Sequence, residues 1–90
     1  MKRYVNERDL PGIGGLTVQQ LAAAAANSNA ALAKLGGKAQ WLESFIAADK
    51  TFCVYRAADE AGVRDHARIS GLSANRVTEV GQVISLLTAG

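Results

Sequence analysis

Ala39-Gln-Trp-Leu-Glu-Ser-Phe-Ile46 and Thr51-Phe-Cys-Val-Tyr-Arg-Ala57 are two aromatic-rich runs with Ala47-Ala48-Asp49-Lys50 between them. Short runs of this kind around a four-residue connection read as a β-hairpin. With that loop as the whole turn, Phe45 stands opposite Phe52, Glu43 opposite Val54, and Trp41 opposite Arg56. A slip of one residue undoes every pair.

Each side of the hairpin carries a helix. Upstream, Thr17 and Gln20 are spaced as a capping box. Leu21, Ala25, Ser28, Leu32 and Leu35 then recur on one side, and Gly36-Gly37 supplies the stop. The alanine block forms helix readily and lets it lie close on a sheet. Downstream, Asp59 caps a second helix, with Glu60 favourable near its positive end. Val63, His66, Ala67 and Ser70 make the inward stripe, Gly71 ends it, and Glu60 and Arg64 are an i,i+4 pair. Arg68 continues the solvated side.

Strands complete the two ends. Residues 2–8 alternate, with Tyr4, Asn6 and Arg8 on one side and Arg3, Val5 and Glu7 on the other. Leu10 to Leu16, with one Pro and three Gly, is a loop. After Leu72 to Asn75, the β-branched residues Val77, Thr78, Val80, Val83 and Ile84 place a last strand over Arg76 to Leu87, bulged near Gly81. The tail frays from Thr88. The order β-α-β-β-α-β is the ferredoxin-like α+β pattern. It predicts a single domain over residues 1–90, a four-stranded antiparallel sheet with two helices on one face. Apolar residues on both strand faces leave the other face needing cover. A homodimer packed sheet on sheet, a dimeric α/β barrel, is the economical arrangement.

Composition bounds the function. Ninety residues allow one modest core. Ten basic against eight acidic residues give a net charge of +2, too balanced to call for nucleic acid or an anionic membrane surface. The arginines Arg3, Arg8, Arg64 and Arg68 lack the aromatic platform of single-strand binders, so no nucleic-acid partner is expected. Cys53 is the sole cysteine; intramolecular disulfides are excluded, and its mid-strand place suits a small buried hydrophobe. Charges through Met1 to Leu10 leave no signal core. The apolar run Leu21 to Ala26 is far shorter than the ~20 residues that span a bilayer. A cytoplasmic protein without a membrane partner is the expectation.

The chemistry-bearing residues are few. Gly12-Ile13-Gly14-Gly15 lacks a glycine at position 17 and a following Gly-Lys-Ser/Thr, so it reads as a tight connection rather than a phosphate loop. Glu43 alternates with Trp41 and Phe45, placing a carboxylate beside aromatics, where burial raises its pKa or demands a partner. Glu7, Arg56 and Glu79 share that face on this phasing. His66 approaches from the second helix, and Trp41, Tyr55 and Arg56 line the same pocket. Three readings stand for this set. One is a structural network of paired charges. One is a divalent metal site, nickel for example, held by His66, Glu7, Glu43 and Glu79. The third is acid/base chemistry by His66 and Glu43.

Tyr4-Val5-x-Glu7-Arg8-Asp9-Leu10-Pro11-Gly12 opens the chain. Trp41-x-x-Ser44-Phe45-Ile46-x-x-Asp49-Lys50-x-x-Cys53-x-Tyr55 spans the hairpin. With His66-Ala67-x-x-Ser70-Gly71 and Glu79-Val80, these residues resemble a family of short bacterial proteins. It has been grouped as a domain of unknown function and includes a nickel-binding protein of streptomycetes. The resemblance covers residues 3–85. It implies a ferredoxin-like subunit, a homodimer, nickel as the metal, no organic cofactor, and a role in nickel sequestration or detoxification. By analogy of fold, dimers of this kind also include cofactor-free monooxygenases and isomerases. A pocket with Glu7, Glu43, Tyr55 and His66 suits proton transfer on a small organic molecule.

Overall fold

The computed structural model describes residues 1–71 and 74–89; Leu72, Ser73 and Gly90, with the first part of the linker before the last strand, lie outside the described residues. Four strands, β1 (Lys2–Asp9), β2 (Ala39–Ile46), β3 (Lys50–Ala57) and β4 (Arg76–Val80), form one sheet in the order β2-β3-β1-β4. Every neighbouring pair is antiparallel. Helices α1 (Val18–Lys34) and α2 (Glu60–Ser70) complete the ferredoxin-like α+β order.

The helix ends follow from their caps. Thr17 Oγ1 accepts from Gln20 N at 3.2 Å while Gln20 Oε1 accepts from Thr17 N at 2.9 Å, satisfying two otherwise orphaned amides. Asp59 Oδ1 accepts from Gly62 N at 3.2 Å, and Gly71 ends α2 at φ 75°, a conformation that favours glycine. The Glu60–Arg64 pair forms at 2.7 Å.

Both helices pack on the sheet face that carries Tyr4, Asn6 and Arg8 of β1 with Thr51, Cys53, Tyr55 and Ala57 of β3, all buried. The apolar core joins Tyr4, Leu35, Ala39, Cys53, Tyr55, Ala57 and Val63. Two glycines allow this packing to be close. A Cβ on Gly62 would stand 3.0 Å from Lys38 O and 3.3 Å from Ala57 Cβ, so α2 sits directly on the strand ends. A Cβ on Gly14 would stand 2.8 Å from both Ala47 O and Ala48 Cα. The loop after β1 is therefore pressed onto the hairpin turn, where Gly14 N donates to Ala48 O at 3.0 Å and Gly12 N to Asp49 Oδ1 at 2.8 Å. Residues 12–15 form a tight connection with a 3-10 turn at Ile13–Gly15.

Two sequence expectations are corrected. Phe45 does pair with Phe52 and Glu43 with Val54, but Trp41 pairs with Tyr55, and Gln40 takes the place opposite Arg56. An irregularity between Trp41 and Glu43 inserts one extra residue, and an extra residue reverses the inside–outside alternation beyond it. Trp41 consequently faces the helices, whereas Glu43 and Phe45 face away. The last strand also stops at Val80 rather than continuing to Leu87. Val80 pairs with Arg3, next to the first residue of β1 at Lys2. Residues 81–85 are irregular and Leu86–Ala89 is a 3-10 turn.

Candidate functional site

The sheet divides the residues singled out by the sequence into two groups. Glu7, Glu43 and Arg56 lie on the open face, in phase with Val5, Val54, Phe45 and Phe52. His66, Trp41 and Tyr55 lie in the helix–sheet layer, in phase with Tyr4 and Cys53. Glu79 pairs with Tyr4, so it takes the helix-side phase at the β4 edge and reaches Lys2 at 3.4 Å. The expected single pocket of Glu7, Glu43, Arg56 and His66 is thus split by the sheet itself. Among the described residues no three His, Cys, Asp or Glu side chains cluster closely enough to hold a metal ion.

On the open face, Glu7 is half-buried and meets Lys50 Nζ at 3.4 Å, a lysine that also lies 3.6 Å from Asp9. Glu43 is exposed. Around these carboxylates Phe45 is 57% exposed, although it pairs with Phe52 across the hairpin. The face therefore combines carboxylates with an uncovered apolar surface.

His66 is fully buried on the inner side of α2. Its Nε2 lies 3.2 Å from the Ser28 carbonyl and 3.0 Å from Ser28 Oγ. Only an Nε2–H can satisfy the carbonyl, which assigns that tautomer and leaves the lone pair on Nδ1. Among the described residues Nδ1 has no hydrogen-bond partner. The ring tilts 56° against Tyr55 with centroids 5.0 Å apart. Burial lowers the His66 pKa, and the positive charge of Arg8 lowers it further, against the Ser28 hydrogen bond that raises it. His66 is neutral at physiological pH and clasps α2 to α1.

Beside it lies a cleft of about 270 Å³ between the first half of α1 and the hairpin. Trp41 and Tyr55 wall it on the sheet side, with Trp41 Nε1 anchored to Ser44 Oγ at 2.9 Å. Leu21, Ala24 and Ala25 face it from α1. Arg8, only 4% exposed, borders it. The Arg8 guanidinium donates to Tyr55 Oη at 3.3 Å and approaches Cys53 Sγ at 3.9 Å. Burial pushes the Tyr55 phenol up to about 12, against the opposing pull of Arg8, so the phenol stays protonated.

Arg8 is the residue that the sequence reading missed as a site residue, grouping it with scattered surface charges. Its signal was its phase, since Tyr4, Asn6 and Arg8 alternate together and Tyr4 belongs inside.

The architecture and this interior cleft define the class as a small ferredoxin-like α+β protein with one carboxylate-bearing, uncovered sheet face. The chain belongs to the nickel responsive protein SCO4226-like family, whose sequence model matches residues 4–80. The crystal structure of SCO4226 from Streptomyces coelicolor A3(2) superposes with a TM-score of 0.75 at 17% identity, covering 91% of this chain and 99% of that one. That likeness establishes the fold. A comparison with curated proteins found no match. No helix among the described residues is long and apolar enough to cross a membrane.

Proposed function

We propose that this protein binds nickel as a homodimer, with the metal held by carboxylates where two open sheet faces meet, for sequestration or detoxification in the cytoplasm. The observation that carries this reading is the open face, where Glu7 and Glu43 sit among Val5, Phe45, Phe52 and Val54. Among the described residues one chain supplies too few ligands in one place, whereas a two-fold interface presents every carboxylate twice. Deprotonated carboxylates can ligate divalent ions, and since imidazole suits nickel better than they do, an all-carboxylate site holds it more weakly. His66 is left out of the proposed site, because its Nε2 is committed to Ser28 and its ring is enclosed. Glu79, tied to Lys2 at the sheet edge, is left out as well. Glu43 is the principal ligand; Glu7 joins it by releasing Lys50.

Calorimetric titration of tag-free protein with nickel, using zinc and magnesium as controls, tests this. Saturable nickel binding that weakens at least tenfold in Glu43→Gln is expected, while His66→Gln retains wild-type affinity in its folded fraction. Affinity should also fall as pH drops into the carboxylate range, since the ligands must be deprotonated. Nickel binding lost in His66→Gln but kept in Glu43→Gln would place the metal in the helix–sheet layer and overturn the open-face site.

A further inference from the structure

The interior cleft has a chemistry of its own, separate from the nickel reading. It exists because α1 is packed unevenly. Near its C-terminal end Ala31 and Leu35 are buried, but its first half turns only Leu21 and small alanines toward the sheet. Opposite them β3 offers Thr51 and Cys53, also small. The space left between the layers is bordered by the two aromatic walls, Trp41 and Tyr55, and by Ile46, Leu10 and Ile13.

Its composition selects a ligand. The lining is mostly hydrocarbon, which favours an apolar body. The Arg8 guanidinium borders it, and its planar fork of N–H donors suits an anion with planar oxygen geometry, above all a carboxylate. The neighbouring Tyr55 hydroxyl, kept protonated, is a second group that can donate to the same oxygens. At about 30 Å³ for a water-sized group, the volume holds about nine such groups. That is the size of one aromatic ring or a medium-length alkyl chain with its head.

We propose that the cleft between the first half of α1 and the β2–β3 hairpin is a binding site for a small organic carboxylate with an apolar body. The head group lies toward Arg8 and Tyr55, and the hydrocarbon lies along Trp41, Leu21 and Ala25.

Trp41 is the sole tryptophan of the chain, so its fluorescence reports the cleft directly. Tag-free protein in excess EDTA, which removes any contribution from nickel, is titrated with octanoate, octanol and octylammonium. The expected result is a saturable change with octanoate, at least tenfold weaker for octanol and absent for octylammonium. Ala25→Leu keeps a good helix former and fills the cleft, so it should weaken octanoate at least tenfold with an unchanged circular dichroism spectrum. Arg8→Gln should bring octanoate down to the level of octanol; should that variant fail to fold, the octanol comparison and Ala25→Leu decide. Octanoate failing to bind, binding no tighter than octanol or octylammonium, or binding equally to Ala25→Leu would overturn the site. None of these outcomes depends on whether nickel binds elsewhere.

Discussion

Replacing His66 by alanine is expected to lower folding stability by about 3 kcal/mol, within the range for removing a large buried side chain. The ring is fully enclosed, and three contacts disappear together. These are the Nε2–H to the Ser28 carbonyl, the Ser28 Oγ interaction and the tilted packing on Tyr55. Ser28 is half-buried and borders the cleft, so water can reach its freed groups and the cost stays below the top of the range. For a chain of this length, total stability is on the order of 5–13 kcal/mol. The loss is therefore a large fraction of it. Urea unfolding of wild type and variant measures the difference; superimposable curves would show that His66 does not hold the two helices together.

The same residue gives stability a distinctive pH dependence. His66 has a folded pKa below its unfolded value of about 6.5, so below that pH the unfolded chain binds the extra proton and the folded chain does not. Stability is full above about pH 6.5 and falls as pH drops, by at most about 1.4 kcal/mol per unit. Since His66 is the sole histidine, no other imidazole contributes to this limb. Tyr55 acts at the other end. Its folded pKa of about 12 exceeds the unfolded value of 10.0, so the unfolded state ionises first as pH rises. Stability is lost between roughly pH 10 and 12. Denaturant midpoints across pH should therefore form a plateau from about 7 to 9.5 with a fall on both sides. In His66→Phe the fall between pH 6.5 and 5 should vanish, and its persistence there would assign that limb to other groups.

Much of this fold can be read from local chemistry. The Phe45–Phe52 and Glu43–Val54 pairs follow from the length of the hairpin loop. The inner stripe of α1, from Leu21 to Leu35, follows from helical spacing, and each cap lies where its side chain can reach an orphan amide. The site was less legible, for two reasons. A single extra residue between Trp41 and Glu43 reverses the alternation that had placed them together, and nothing in Gln40-Trp41-Leu42-Glu43 signals it. Both sheet faces also carry apolar residues, so alternation separates Glu7 from Arg8 without saying which of them meets the helices. Tyr4 and Asn6 turned out to be the buried phase, which takes Arg8 inside and leaves Glu7 and Glu43 outside. The length of the last strand depended on its partner, since β1 ends before Val83 could pair.

Nickel held across the open face requires two chains to meet there. Light scattering from tag-free protein at micromolar concentration measures this most directly, because one chain weighs 9.4 kDa and two weigh twice that. The dimer mass is predicted, reverting to a single chain in Val54→Glu, which places a carboxylate in the middle of the apolar surface. A single-chain mass for the wild type, both with and without nickel, would contradict the account.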